Sequence, residues 1–162
     1  MIRNAFWYLF AILCSVFARP IIAWAKRTPY VHLSGYMKRW WLFNRYDVPR
    51  GWLRKRLPSV RIHCILREDD DRHLHDHPWD ARTIILRGAY WEVTQDGSDG
   101  WRVPGDTRAI RYGEYHRISL TESDDGDEGV YTMFITWKYI GTWGFLVNGE
   151  KVPHKVYLGI DD

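Results

Sequence analysis

The chain has 162 residues, 46% of them apolar and 27% charged, and only two cysteines. This composition excludes wholesale disorder and a disulfide scaffold, and it allows one packed core of ordinary size. Net charge is only +3, but residues 1–56 hold eleven Lys/Arg and one acid, while residues 57–162 hold twelve Lys/Arg and nineteen acids. A basic arm on an acidic body suits an anionic contact: a membrane surface, a nucleic acid or a partner.

The chain opens on an almost unbroken apolar run, Ala5 to Ala18. Only Arg3 precedes it, whereas Arg19, Lys26 and Arg27 follow, which is the wrong polarity for a secretory leader. A membrane-spanning helix needs about 20 apolar residues. Ala5 to Ala25 reaches that length only by including Arg19 and Pro20. The favoured expectation is a helix that packs on the body, clasps a second copy in a homodimer, or lies on a membrane, with Pro20 marking a break. The location expected is cytoplasmic, with residues 5–25 available for membrane association.

Residues 26–58 read as a linker with short elements. Trp40, Trp41 and Trp52 alternate with arginines there. Such a mixture can stack on bases and bind phosphates. The plainer expectation is that the tryptophans pack and the arginines stay wet, so nucleic acid ranks last among the partners. The division expected is an apolar, basic helical arm and linker over 1–56 and a β-domain over 57–162.

From residue 60 the pattern is short strands between turns. "SVRIHCILR", "ARTIILRGAYWEVT" with a bulge at Gly88, "TRAIRY", "VYTMFITW", "WGFLV" and "KVYLG" are the candidates, and "DGSDG" at 96–100 is a hairpin turn. In "VYTMFITW" Val130, Thr132, Phe134 and Thr136 share one face, and Tyr131, Met133, Ile135 and Trp137 the other. The class is mainly β, a sandwich or small barrel. "ESDDGDEG" at 122–129 lacks the spacing of a calcium loop and is expected to be solvated.

One stretch carries chemistry: "DRHLHDHPWDARTIILRGAY", residues 71–90. On a strand, residues i and i+2 share a face, so His75 and His77 can converge on one ion. Pro78 keeps His77 extended. The competing expectation is a pair of exposed histidines that bind nothing. A second stretch, "GDTRAIRYGEYH" at 105–116, adds His116.

Here the chain from about 60 to 147 resembles the cupin superfamily. His75, His77 and Gly88 sit at the spacing of the motif G-x5-H-x-H-x3,4-E-x6-G. Gly105, Gly113 and His116 sit at that of G-x5-P-x-G-x2-H-x3-N. "RHLHDHPWD…ILRGAY" with the downstream "WGF" further resembles small phage and bacterial cupin-like proteins of unassigned activity. The resemblance implies a double-stranded β-helix, or jelly-roll barrel. It also implies metal ligands His75, His77 and His116. The sequence departs from the motifs at four places. Asp69 replaces the first glycine, and Ala81 or Arg82 stands at the glutamate. Arg111 replaces the proline, and Leu120 the asparagine. Asp80, one residue early, could replace the glutamate through a bulge. His73 is an alternative ligand, and His63 and His154 are expected to be structural.

Three neutral imidazoles leave two or three open positions, which suits Fe, Zn, Mn or Ni, with Fe favoured. Arg87 and Arg111 are the candidates to clamp a small anionic molecule, and Tyr115 to act as a phenol acid. Functions to be weighed are an Fe-type dioxygenase, a non-catalytic ligand-binding or structural module, and a metal-independent sugar-type isomerase or epimerase.

Overall fold

The computed structural model describes residues 2–49, 51–69, 73–120 and 129–159. Helices α1 (Ile2–Val16) and α2 (Ala18–Ala25) open the chain and are followed by β1 (Met37–Phe43). A single 3-10 turn at Arg54–Arg56 leads to β2 (Ser59–Ile65), β3 (Trp79–Arg87), β4 (Tyr90–Thr94), β5 (Gly100–Arg102), β6 (Thr107–Ile110) and β7 (His116–Ser119). Then come β8 (Val130–Tyr139), β9 (Gly144–Val147), β10 (Glu150–Pro153) and α3 (His154–Leu158). The five-stranded sheet runs β1-β2-β8-β3-β6, the three-stranded sheet β5-β4-β7, and β9 pairs β10 as a hairpin. Every ladder is antiparallel.

Alternation along the central strands creates two cores. Ile62, Cys64, Ile84, Leu86, Tyr131, Met133 and Ile135 point outward and meet Ala11, Cys14, Ala18, Ile22 and Ala25 of the two helices. Fully burying an isoleucine such as Ile62 or Ile84 stabilises by about 1.5–3 kcal/mol. The opposite set, including Arg61, His63, Thr83, Thr132 and Phe134, lines an internal cavity. The alternation expected of "VYTMFITW" therefore holds, though both of its faces are buried.

The N-terminal run packs on the sheet along one face, while Phe6, Leu9, Ile12, Val16, Phe17 and Trp24 on the other remain at least half exposed. No single helix is long and apolar enough to cross a membrane; α1 and α2 satisfy that test only as a pair bent by 77°. Residues 37–43, expected within a linker, instead form the edge strand β1, and Trp40 joins the helix-facing core.

Gly88 is more than a bulge. Its φ is +77°, and a Cβ there would lie 3.2 Å from Val130 Cα. It turns the chain from β3 of the larger sheet into β4 of the smaller one. "KVYLG", expected as a strand, is helical: Lys155–Leu158 lie in α3, and Gly159 closes it in the left-handed region at φ 63°. Residues 122–128 of the acidic loop lie outside the described residues.

Candidate metal centre

The histidine stretch adds a short rung between two strands. His75 exchanges both backbone hydrogen bonds with His116, each at 2.9 Å, and also bridges to Phe145 of β9. A hydrogen-bonded antiparallel pair keeps two side chains on one face. Pro78 follows His77, and its carbonyl accepts from the Ile140 and Gly141 N–H groups at 2.8 and 3.2 Å. Between the two histidines, Asp76 is fully buried. It accepts from the Gly144 N–H at 2.9 Å and from the Lys151 ammonium, while its own N–H donates to the Gly144 carbonyl at 3.0 Å. One aspartate thus ties the H-x-H stretch to the β9–β10 hairpin.

His75, His77 and His116 each offer a ring nitrogen, and these nitrogens all lie within 4.8 Å of one another. The His77 and His116 Nε2 atoms are 3.0 Å apart. Two bonds of about 2.0–2.1 Å to one ion, at an angle near 90°, also place their nitrogens about 3 Å apart. His116 Nδ1 is 2.7 Å from Glu92 Oε1. An ionised carboxylate only accepts, so Nδ1 carries the proton and Nε2 presents its lone pair to the group. Behind His75, Asp69 Oδ2 lies 3.7 Å from Nδ1. Asp69 is itself fixed by the Ile118 N–H at 2.7 Å and by the Tyr36 hydroxyl. Carboxylates backing the non-ligating ring nitrogens are the usual outer partners of metal-binding histidines.

Burial, only partly opposed by Asp69, lowers the His75 pKa to about 4. Burial above all, with lesser contributions from the neighbouring His116, His75 and Arg61, holds His77 well below its ordinary value. Both imidazoles are neutral at pH 7, the state a metal requires. For Glu92, burial works toward a raised pKa, but His116, Arg108 and Arg102 prevail and hold it at about 2. Arg102 Nε and an Arg108 N–H donate to its two oxygens at 2.7 and 2.9 Å. The donor set fits a divalent transition metal on chemistry as well as geometry.

Other expected site residues lie elsewhere. Asp80 is a correction: it accepts from the Tyr112 N–H at 3.1 Å and faces Arg111 at 3.7 Å, apart from the three histidines. The register shift that would have turned it inward sits between Trp79 and Ala81, but the side chain stays in the outer groove with Trp7, Arg82 and Arg111. Arg111 is two-thirds exposed in that groove. Arg87 is exposed at the end of β3, where a second register shift, between Ile85 and Arg87, ends the inward alternation. Tyr115 is buried but does not line the cavity. His73 contacts the Tyr157 hydroxyl at 2.9 Å, and His154 stacks on Trp143. His63, expected as structural, lines the cavity with a buried Nε2 that has no partner among the described residues.

The three histidines open onto a cavity of about 300 Å³ between the sheets. Trp79, Phe134, Trp143, Ile65 and Ile110 supply its apolar wall, and none of its lining residues is acidic. Reading the sequence for motifs missed Glu92, Asp69 and Arg61. Strand alternation on β2 could have found Arg61, since it shares a face with His63 and Ile65.

No protein-family model and no curated protein matches the sequence. Solved structures do. The DMSP lyase DddQ from Ruegeria pomeroyi DSS-3 is 13% identical with a TM-score of 0.50, over 75% of this chain and 53% of that one. A cupin 2 conserved barrel domain protein from Rhodopseudomonas palustris is 13% identical over 75% of this chain and 77% of that one, with a TM-score of 0.49. A cupin-like protein from Thermotoga maritima MSB8 is 18% identical over 80% and 91%, with a TM-score of 0.47. At such identities the likeness is one of fold. The mainly antiparallel β-architecture is of the class that the sequence resemblance implies.

Proposed function

We propose that the protein is a mononuclear metal-binding cupin whose three-histidine centre acts on a small anionic substrate in an Fe-type, oxygen-dependent reaction. The observation that carries this reading is the position of the centre. His75, His77 and His116 lie at the wall of an aromatic-lined cavity that opens to the surface, with Glu92 and Asp69 backing two of the rings. A purely structural metal is closed by four protein ligands, whereas three leave room for exchangeable groups. Bound there, an Fe(II) ion would supply positions for O₂ and substrate. Burial holds the His75 and His77 imidazoles neutral, and Glu92 orients His116 through its Nδ1.

Cobalt substitution tests the open coordination. Co(II) added to the metal-free protein is expected to give visible bands that disappear in His77→Ala. Azide is expected to shift those bands, because it enters an open position. Bands that azide leaves unchanged would favour a closed, non-catalytic site. Oxygen uptake by the Fe(II) form, stimulated by a small carboxylate, is the expected activity.

A further inference from the structure

The cavity holds a buried cation, and no acid is among the described residues that line it. Arg61 lies on β2 at 2% exposure, and its side chain lines the same space as His75, His77 and His116. One of its terminal nitrogens, Nη1, donates to the Tyr46 hydroxyl at 2.8 Å. Nε and Nη2 are buried and have no hydrogen-bond partner among the described residues. No acid lines the cavity. Tyr46 is not a counter-ion, because burial above all pushes its phenol up to about 12.

Aromatic rings surround the guanidinium. Its central carbon lies 5.1 Å from the Trp79 ring, 5.5 Å from Phe134 and 5.7 Å from Trp41. Such contacts partly offset the charge. They leave the Nε and Nη2 N–H groups unanswered, and unmet buried donors are costly. Nε and Nη2 carry the parallel N–H pair along one edge of the guanidinium, the fork that matches the two oxygens of a carboxylate. Phe134 joins this fork to the metal centre, since the His77 ring lies 5.5 Å from the same phenyl ring. The arginines expected to clamp an anion, Arg87 and Arg111, are on the outside; Arg61 and Arg39 line the cavity, and Arg61 is the buried one with unmet N–H groups.

We infer that Arg61 is the specificity residue of the cavity, receiving the carboxylate of a small, largely apolar monocarboxylate through Nε and Nη2 while the ligand's body lies against Phe134 and Trp79 toward the histidines. This rests on the reading of the cavity as the substrate site, but not on a metal being bound. Arg61 is a binding group, and His75, His77 and His116 remain the metal group.

The test compares benzoate with benzamide, which share shape and differ in charge, by titration calorimetry on the full chain. Wild type is expected to prefer benzoate by about 10–100-fold, the worth of a bidentate hydrogen bond to a charged group. Arg61→Met is expected to lose that preference. Arg61→Lys, which keeps the charge but not the fork, is expected to lose about tenfold in benzoate affinity. His77→Ala is expected to lose metal yet retain the preference, which separates failure of the metal reading from failure of this one. Equal affinity for the two probes in wild type, no saturable benzoate binding, or an undiminished preference in Arg61→Met would each overturn the inference. Should Arg61→Met and Arg61→Lys fail to fold, benzoate preference in metal-free His77→Ala protein, and its loss in Arg61→Gln but not in Arg39→Met, still decides.

Discussion

Glu92 and His116 meet at 2.7 Å across β4 and β7, with the carboxylate on Nδ1 and the opposite nitrogen turned to the metal group. The carboxylate is fully buried and is also the shared acceptor of Arg102 and Arg108. Glu92→Gln keeps its shape and removes the charge that favours the Nδ1–H tautomer. Metal affinity is expected to fall about 10–100-fold, as read by chelator competition. Glu92→Ala leaves two arginines without their acceptor, so about 3–5 kcal/mol of stability is expected to be lost in urea unfolding.

Asp76 is the second anchor. Its carboxylate holds the Gly144 N–H and the Lys151 ammonium, fixing the segment from which His75 and His77 project. Lys151 reaches solvent over about a quarter of its side chain, whereas Asp76 does not. Asp76→Ala is therefore expected to cost more than Lys151→Ala, with a loss of about 2–3 kcal/mol for the aspartate from its unmet buried partners. Chemical unfolding of the two variants side by side checks the order.

The turn at Gly88 makes a sharper demand. A side chain there would combine a φ of +77° with a contact of 3.2 Å to the Val130 backbone. Gly88→Ala is expected to lose about 1–3 kcal/mol. An unchanged urea midpoint would mean that the crossing between the two sheets yields more easily than its packing shows.

Acid sensitivity follows from the buried imidazoles. His63 is held well below its ordinary pKa, chiefly by burial and then by Arg61 and Arg39. Below about pH 6.5 the unfolded chain takes up a proton that the folded chain refuses, so stability falls as pH falls. The expected slope is about 1.4 kcal/mol per pH unit for each such group. Urea unfolding of metal-free protein at pH 7.5 and 5.5 is expected to show this loss, and His63→Gln to reduce it by about one proton's worth.

Period-2 patterning from residue 60 onward foretold a β-architecture, and the resemblance to the cupin motifs implied a set of His75, His77 and His116, whose ring nitrogens long-range pairing brings within 4.8 Å of one another. What strand alternation cannot reveal is where register slips. Asp80 stays outside despite the shift beside Trp79, and the shift beside Arg87 leaves Arg87 outside, although counting by twos from His77 directs it inward. Glu92 carries no local signal, because its meaning arises only when β4 pairs with β7. "KVYLG" misleads for a related reason: its β-branched and aromatic residues suit a strand, but Gly159 ends a helical turn that stacks Tyr157 on Phe145 at 4.0 Å.

Metal content is the measurement to make on tag-free protein purified without chelator, comparing wild type with His77→Ala and His116→Ala. A three-histidine centre predicts near one equivalent of a divalent transition metal per wild-type chain, either as isolated or after incubation with Fe(II), and little in the two variants at unchanged secondary structure. Wild-type protein that neither carries nor takes up Fe, Zn, Mn or Ni, or histidine variants that retain the full equivalent, would contradict it.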